Sequence, residues 1–351
     1  MFSSYRPEDV TILLKDITGQ IAPQSTEERE RRIQSGGHYS EMLPVEYEPS
    51  PEYLGAYSAA MERYAPITAW AVARTAELIW RDLGERAVLV SLARAGTPIG
   101  ILLKRYLRAR YGAEVPHYTI SIIRGRGIDR NAMDYILARH DPASLQFVDG
   151  WTGKGAIQRQ LEEAMEDYPQ VDPGLAVLSD PACVARRCGT HDDFLIPSSC
   201  LNATVSGLLS RTVLRGDLIG PGDFHGAVCY ESLRDRDLTY SFIREIEGAF
   251  PAEPPAAAPS PPPDRNLGME EVRDICKNFG VRDINLVKPG IGEATRVLLR
   301  RLPWKLLVRS LDDSEHLGHL YQLAQEKHVE VLEYPLQYYR ACGIIRSLAD
   351  T

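Results

Sequence analysis

Between residues 80 and 160 the chain alternates short apolar runs with small-residue turns and then amphipathic stretches. Residues 87–92 (AVLVSL), 117–123 (HYTISII) and 145–148 (LQFV) are β-branched or leucine-rich and of strand length. Apolar runs of this length read as strands covered on both faces. The first runs into Ala93-Arg94-Ala95-Gly96-Thr97-Pro98 and then a helix pattern carrying Ile101, Leu102, Leu103 and Leu107. The third ends at Asp149 and runs through Thr152-Gly153-Lys154-Gly155 into a helix opening at Ala156. Strand, turn and helix, repeated, predict an open parallel α/β sheet, which binds ligands beyond the carboxyl ends of its strands.

The turns carry the chemistry. The first N–H groups of a helix have no carbonyl partner and lie at the positive end of the macrodipole, so a phosphate is held there. Gly153 and Gly155 let backbone approach such a ligand, Thr152 adds a hydroxyl and Lys154 a cation. The spacing is not that of a P-loop, which needs four residues between its first glycine and the Gly-Lys pair. The middle strand ends in a glycine-loosened segment, 124–130, with three arginines: Arg124, Arg126 and Arg130.

In order, these parts resemble the type I phosphoribosyltransferases. The resemblance implies a pyrophosphate loop at 93–98, with Arg94 as its cation beside Ala95, Gly96 and Thr97. It implies a flexible hood at 124–130 that brings in Arg124 and Arg126. It further implies a ribose-phosphate loop at 149–156, with Asp149, Thr152, Gly153, Lys154, Gly155 and Ala156 on the substrate. The expected cofactor is Mg²⁺ with phosphoribosyl pyrophosphate, Asp149 reaching the metal through the ribose. One departure is that Gly150 and Trp151 follow Asp149 where that family usually has a second acid. The segment containing His191, Asp192, Asn202, Asp223 and His225 would wall the acceptor side.

Length changes the picture, because 351 residues predict about two domains. Residues 251–263 hold seven prolines and four alanines, a composition that behaves as a semi-rigid spacer of about 40 Å. Three segments are therefore expected: 1–250, a linker 251–264, and 265–351, with two independently folded bodies. From residue 265 onward 13 basic residues face 12 acidic, against 27 and 36 before it. Clustered cations are needed to hold nucleic-acid phosphates, so any nucleic-acid role falls to the second body. There a strand at 283–287, a glycine-opened helix to 301, a strand at 305–308, a helix at 314–327 and a strand at 329–334 predict a small parallel-type α/β sandwich. This resembles the pelota and ribosomal L7Ae group of RNA-binding domains, whose turn opens a helix with Gly-x-x-Glu-x-x-Lys/Arg. Gly290, Glu293 and Arg296 match that turn, and the resemblance implies RNA contacts from Lys288, Gly290, Gly292, Glu293, Arg296 and Arg300. Segment 337–343 would be the apolar loop that closes the site.

A transferase-like domain followed by a pelota-type domain resembles the proteins encoded beside bacterial tellurium-resistance stress systems, over almost the whole chain. That implies an enzyme making or attaching a stress-related ribonucleoside, with RNA and a phosphoribosyl-type small molecule as partners. The same family is also labelled a cysteine protease, StiP, so the six cysteines are weighed as well. With no secretory leader and no apolar run near eighteen residues, a cytoplasmic chain with reduced thiols and no membrane partner is expected. Residues 183–200 pack Cys183, Cys188, His191 and Cys200 together, at spacings that match no common zinc knuckle. The alternative activity is a cysteine-dependent hydrolase using Cys200 with His191 or His225. A third reading is a non-enzymatic RNA-binding ligand sensor.

Overall fold

The structure, a computed structural model, describes residues 2–256 and 267–346; most of the expected linker lies outside the described residues. Six parallel strands form the central sheet, in the order Thr11–Ile12, His117–Ile120, Val88–Leu92, Leu145–Val148, Leu175–Ser179, Arg187–Thr190. Every residue of Val88–Leu92, Leu145–Val148 and Leu175–Ser179 is buried, as unbroken apolar runs require when helices cover both faces. Strand order turns back between Val88–Leu92 and Leu145–Val148, which places a crevice at their carboxyl ends, beside Arg94 and Asp149.

The run 117–123 is not one strand. It leaves the sheet after Ile120, and Ile122–Ile123 pairs antiparallel with Gly127–Ile128. Segment 124–130, expected as a flexible hood, is thus the end of a tight hairpin. Asp129 then caps the next helix, accepting from the Ala132 amide at 3.1 Å.

The helix Pro51–Leu83 is the longest element. Ser50 and Pro51 suit its start, and its buried alanines, among them Ala69, Ala71, Ala73 and Ala76, let it lie close on the sheet. Arg74 donates to the Gly189 carbonyl at 2.7 Å and Thr75 to that of Val177 at 3.1 Å. The same helix reaches the second body, where Tyr64 donates to the His316 carbonyl at 2.9 Å and Tyr53 to that of Leu299.

The second body is mixed, not of parallel type. Its sheet runs Val287–Pro289, Ala341–Ile345, Pro303–Val308, Glu330–Glu333, and Ala341–Ile345 is antiparallel to both neighbours. Part of the segment expected to be a closing loop is therefore a buried central strand, fixed by its pairing to both neighbours. Residues 284–286 form a single turn of 3₁₀ helix, and the helix Leu267–Asn278 adds a face that the βαβαβ pattern lacked.

Nor do the two bodies stand apart. The Asp193 carboxylate of the first accepts from the amides of Ile291 at 2.9 Å and Arg340 at 2.9 Å in the second. The Tyr339 hydroxyl donates to the Gly153 carbonyl at 2.7 Å. A single apolar cluster runs from the long helix and the sheet into Ile291, Leu298 and Leu320. No helix among the described residues is long and apolar enough to cross a membrane.

Candidate active site

The crevice at the strand-order reversal contains the residues expected to bind phosphates, but protein groups occupy many of them. A Cβ on Gly96 would lie 2.4 Å from the Val148 carbonyl oxygen, so glycine here serves the closure of a helix onto a strand end. The Thr97 hydroxyl is buried against that of Thr119 at 2.8 Å. Arg94, which follows Ala93 and precedes Ala95, donates to the Leu209 carbonyl and to Asn202 Oδ1, each at 2.9 Å. The Thr152 hydroxyl donates to Asp180 at 2.6 Å. Lys154 donates to the carbonyls of Ile284 and Val287 in the second body. Burial first, then Lys288 and Arg124, bring its ammonium down to about 8. Gly155 takes φ +74° to open the helix at Ala156. The predicted phosphate loop is a docking surface for the second body. Of the hood arginines, Arg126 pairs with Glu41, and the Arg124 amide donates to the Tyr39 hydroxyl at 2.9 Å. Asp149 is partly buried, and desolvation lifts its carboxyl to about 6 despite the Gly150 amide and Arg296.

The thiol chemistry gathers elsewhere than expected. Cys200 ends the 3₁₀ turn Pro197–Cys200 and is fully buried. The His225 ring lies 2.8 Å from the Ser121 hydroxyl, and burial lowers its pKa. His191 sits just beyond the strand Arg187–Thr190, and Asp180 just beyond Leu175–Ser179. His191 Nδ1 lies 3.0 Å from the Asp180 carbonyl oxygen, 3.6 Å from Asp180 Oδ2 and 3.6 Å from Cys183 Sγ. Cys188 Sγ is 3.6 Å from Nε2. The structure thus brings two other thiols to His191, and the carboxylate beside the ring, Asp180, is one that sequence reading missed.

Local geometry explains the gathering. Asp180 is wholly buried, yet its carboxylate accepts from Thr152 and from the amides of Val184 at 3.1 Å and Ala185 at 3.0 Å. Burial raises its pKa against those donors and against His191. The turn so pinned holds Cys183 at φ +54°, a left-handed conformation that is strained for a cysteine. Cys183 is partly exposed and the His191 side chain is 34% exposed, whereas Cys188 is buried in its strand. Asp180, Cys188 and His191 also place ligand atoms within 4.8 Å of one another, close enough for a metal ion.

The turn expected to contact RNA faces inward. Gly290 takes φ +95°, and the amide of Ile291 beside it is capped by Asp193. Gly292 faces Ser199 and Trp151. Glu293 pairs with Arg296 at 3.3 Å, and the Arg296 guanidinium lies 5.7 Å from the centre of the Trp151 ring. Lys288 is shifted down by burial, against the pull of Glu293, with neighbouring arginines adding to the lowering. The Arg300 side chain lies outside the described residues.

Residues 3–247 match the family described as tellurite-like stress resistance cysteine protease StiP. Residues 266–347 match the PELOTA RNA binding domain. The chain is 36% identical over 369 residues to a protein of Acinetobacter baylyi named cysteine protease StiP, covering 98% of this chain and 94% of that one. These matches overturn the transferase expectation. The first body aligns with proteins named for thiol proteolysis, not for transfer from phosphoribosyl pyrophosphate.

Proposed function

The chain belongs to the StiP family, and from that premise we propose that it is a thiol-dependent peptide hydrolase in which Cys183 is the nucleophile, His191, through an unprotonated Nδ1, the base, and the Asp180 carboxylate the charge that stabilises the imidazolium so formed. The observation that carries this reading is the partly exposed Cys183 sulfur 3.6 Å from His191 Nδ1, with the buried Asp180 carboxylate 3.6 Å from the same ring nitrogen. A thiol becomes nucleophilic when an adjacent imidazole takes its proton, and the resulting ion pair is favoured by a nearby carboxylate. The Cys183 thiolate then attacks the peptide carbonyl carbon, and the carbon–nitrogen bond breaks as the imidazolium protonates the departing amine. Water, deprotonated by His191, releases the acid and restores the thiol. Cys188, within reach of the same ring, is covered and less accessible to a peptide.

Digestion of a fluorogenic peptide library by the full chain and its variants tests this. Cys183→Ala should abolish cleavage, and His191→Ala should lower it by about 10²- to 10⁴-fold. Cys200→Ala should retain it. Cleavage that survives Cys183→Ala and is lost with Cys200→Ala would overturn the assignment.

The proximity of Asp180, Cys188 and His191 supports a second reading in which the cluster holds Zn²⁺. That reading requires metal in the purified protein and loss of its effect with a chelator, whereas thiol hydrolysis should survive the chelator. The second body is further proposed to bind RNA, on the strength of its match to the PELOTA domain.

A further inference from the structure

A cavity of about 560 Å³ lies between the two bodies. Arg29, Arg94 and Arg211 line it from the first body, and Lys288, Arg296 and Arg301 from the second. In a chain of net charge −8 this is a local excess of cation. Three carboxylates share the wall: Glu46, Glu48 and Glu293. Each has a protein partner, respectively the Ala203 amide at 3.0 Å, Arg236 at 2.5 Å and Arg296 at 3.3 Å. Cations remain in excess.

Arg211 is the informative member. Its Nη1 is buried with no hydrogen-bond partner. Burial first, then Arg29, Arg94 and Arg301, bring its guanidinium down to about 10. A buried donor left unmade beside like charges is costly unless an anion completes it. Aromatic faces accompany the cations. Tyr47, 75% exposed, stands on the cavity wall. Trp151 lines an adjoining pocket of about 200 Å³ that shares Arg94, Asn202 and Arg296 with the first. Alternating cations and open ring faces suit single-stranded nucleic acid, whose phosphates take the charges while its bases stack.

We propose that this composite cavity binds a single-stranded RNA segment, its phosphates held by Arg94 and Arg211 of the first body together with Lys288 and Arg296 of the second, and a base stacked on Tyr47. The proposal rests on the RNA-binding reading of the second body and extends its footprint onto the first. RNA contacts of the glycine turn and of the first body become parts of one site, and the inward aim of Lys288, Glu293 and Arg296 acquires a purpose.

Fluorescence anisotropy of the full chain with a labelled ten-nucleotide oligoadenylate RNA tests it, read at several salt concentrations. Arg94→Gln and Arg211→Gln should each weaken binding about tenfold and flatten the salt dependence by about 0.7 per lost phosphate contact. Tyr47→Ala, at a position too exposed to affect folding, should weaken it about fivefold to tenfold by loss of a stacked base. Melting curves show which variants remain folded, and Tyr47→Ala keeps the test decisive if the arginine variants do not. Undiminished binding by all three, with loss on Arg296→Gln, would overturn the composite site and leave RNA on the second body alone. No binding of the RNA by the wild-type chain would overturn the RNA reading itself. If inorganic pyrophosphate raises the melting temperature in an Arg211-dependent way while the RNA does not bind, the cavity takes small anions and the RNA assignment fails.

Discussion

Asp149 shows how a single residue can be legible in kind and misread in role. That a carboxylate stands at a strand's carboxyl end, before a glycine turn, could be expected from the sequence. Its partial burial could not, because that depends on how the folded chain packs around the turn. The raised carboxyl has a consequence for stability. Its folded value of about 6 lies above the ordinary 3.8, so the native state binds the proton more tightly than the unfolded chain. Its contribution to stability is therefore lost as pH rises from about 4 to about 6, and is absent above that. Melting of wild type and Asp149→Asn between pH 4 and 7 should show the variant gaining on wild type by up to about 3 kcal/mol as pH rises; parallel curves would contradict the burial argument. Asp180 was equally findable, since it too ends an apolar run, at LAVLSD. Its meeting with Cys183 and His191 was not, because it depends on how the turn after Asp180 folds back, which no periodicity encodes.

Among elements, those with strong local patterns were legible. The strands Val88–Leu92 and Leu145–Val148, and the helices opening at Gly96 and Ala156, lie where apolar runs and small-residue turns put them. The strand Ala341–Ile345 and the hairpin at Gly127 were missed because pairing partners, not composition, decide them. The helix Ile291–Arg300 was expected from its glycine turn, but its cap is Asp193 of the other body. A carboxylate at a helix N-terminus meets unpaired amides and the positive end of the macrodipole. Asp193→Ala leaves two buried amides unsatisfied and should cost about 2 to 5 kcal/mol, seen as a lower melting temperature and faster hydrogen exchange at Ile291 and Arg340. Asp193→Asn, which keeps an acceptor, should lose less. Equal melting of wild type and Asp193→Ala would contradict the capping role.

At the scale of the molecule, the two bodies expected on either side of the proline-rich segment are in contact, not apart. Tyr53, Tyr64 and Lys154 tie the halves together, and the apolar cluster they share continues across the join. Residues 1–250 expressed alone should therefore melt at a lower temperature than the full chain, and should bind an apolar dye at the surface that Ile291 and Leu298 now cover. The intact chain is accordingly the form in which the thiol site should be judged. The direct measurement is the rate of iodoacetamide alkylation at each of the six cysteines near pH 7, followed by mass spectrometry in wild type and His191→Ala. The account predicts that Cys183 reacts fastest and that replacing His191 removes its advantage. Fastest reaction at Cys200, or a Cys183 rate indifferent to His191, would contradict it.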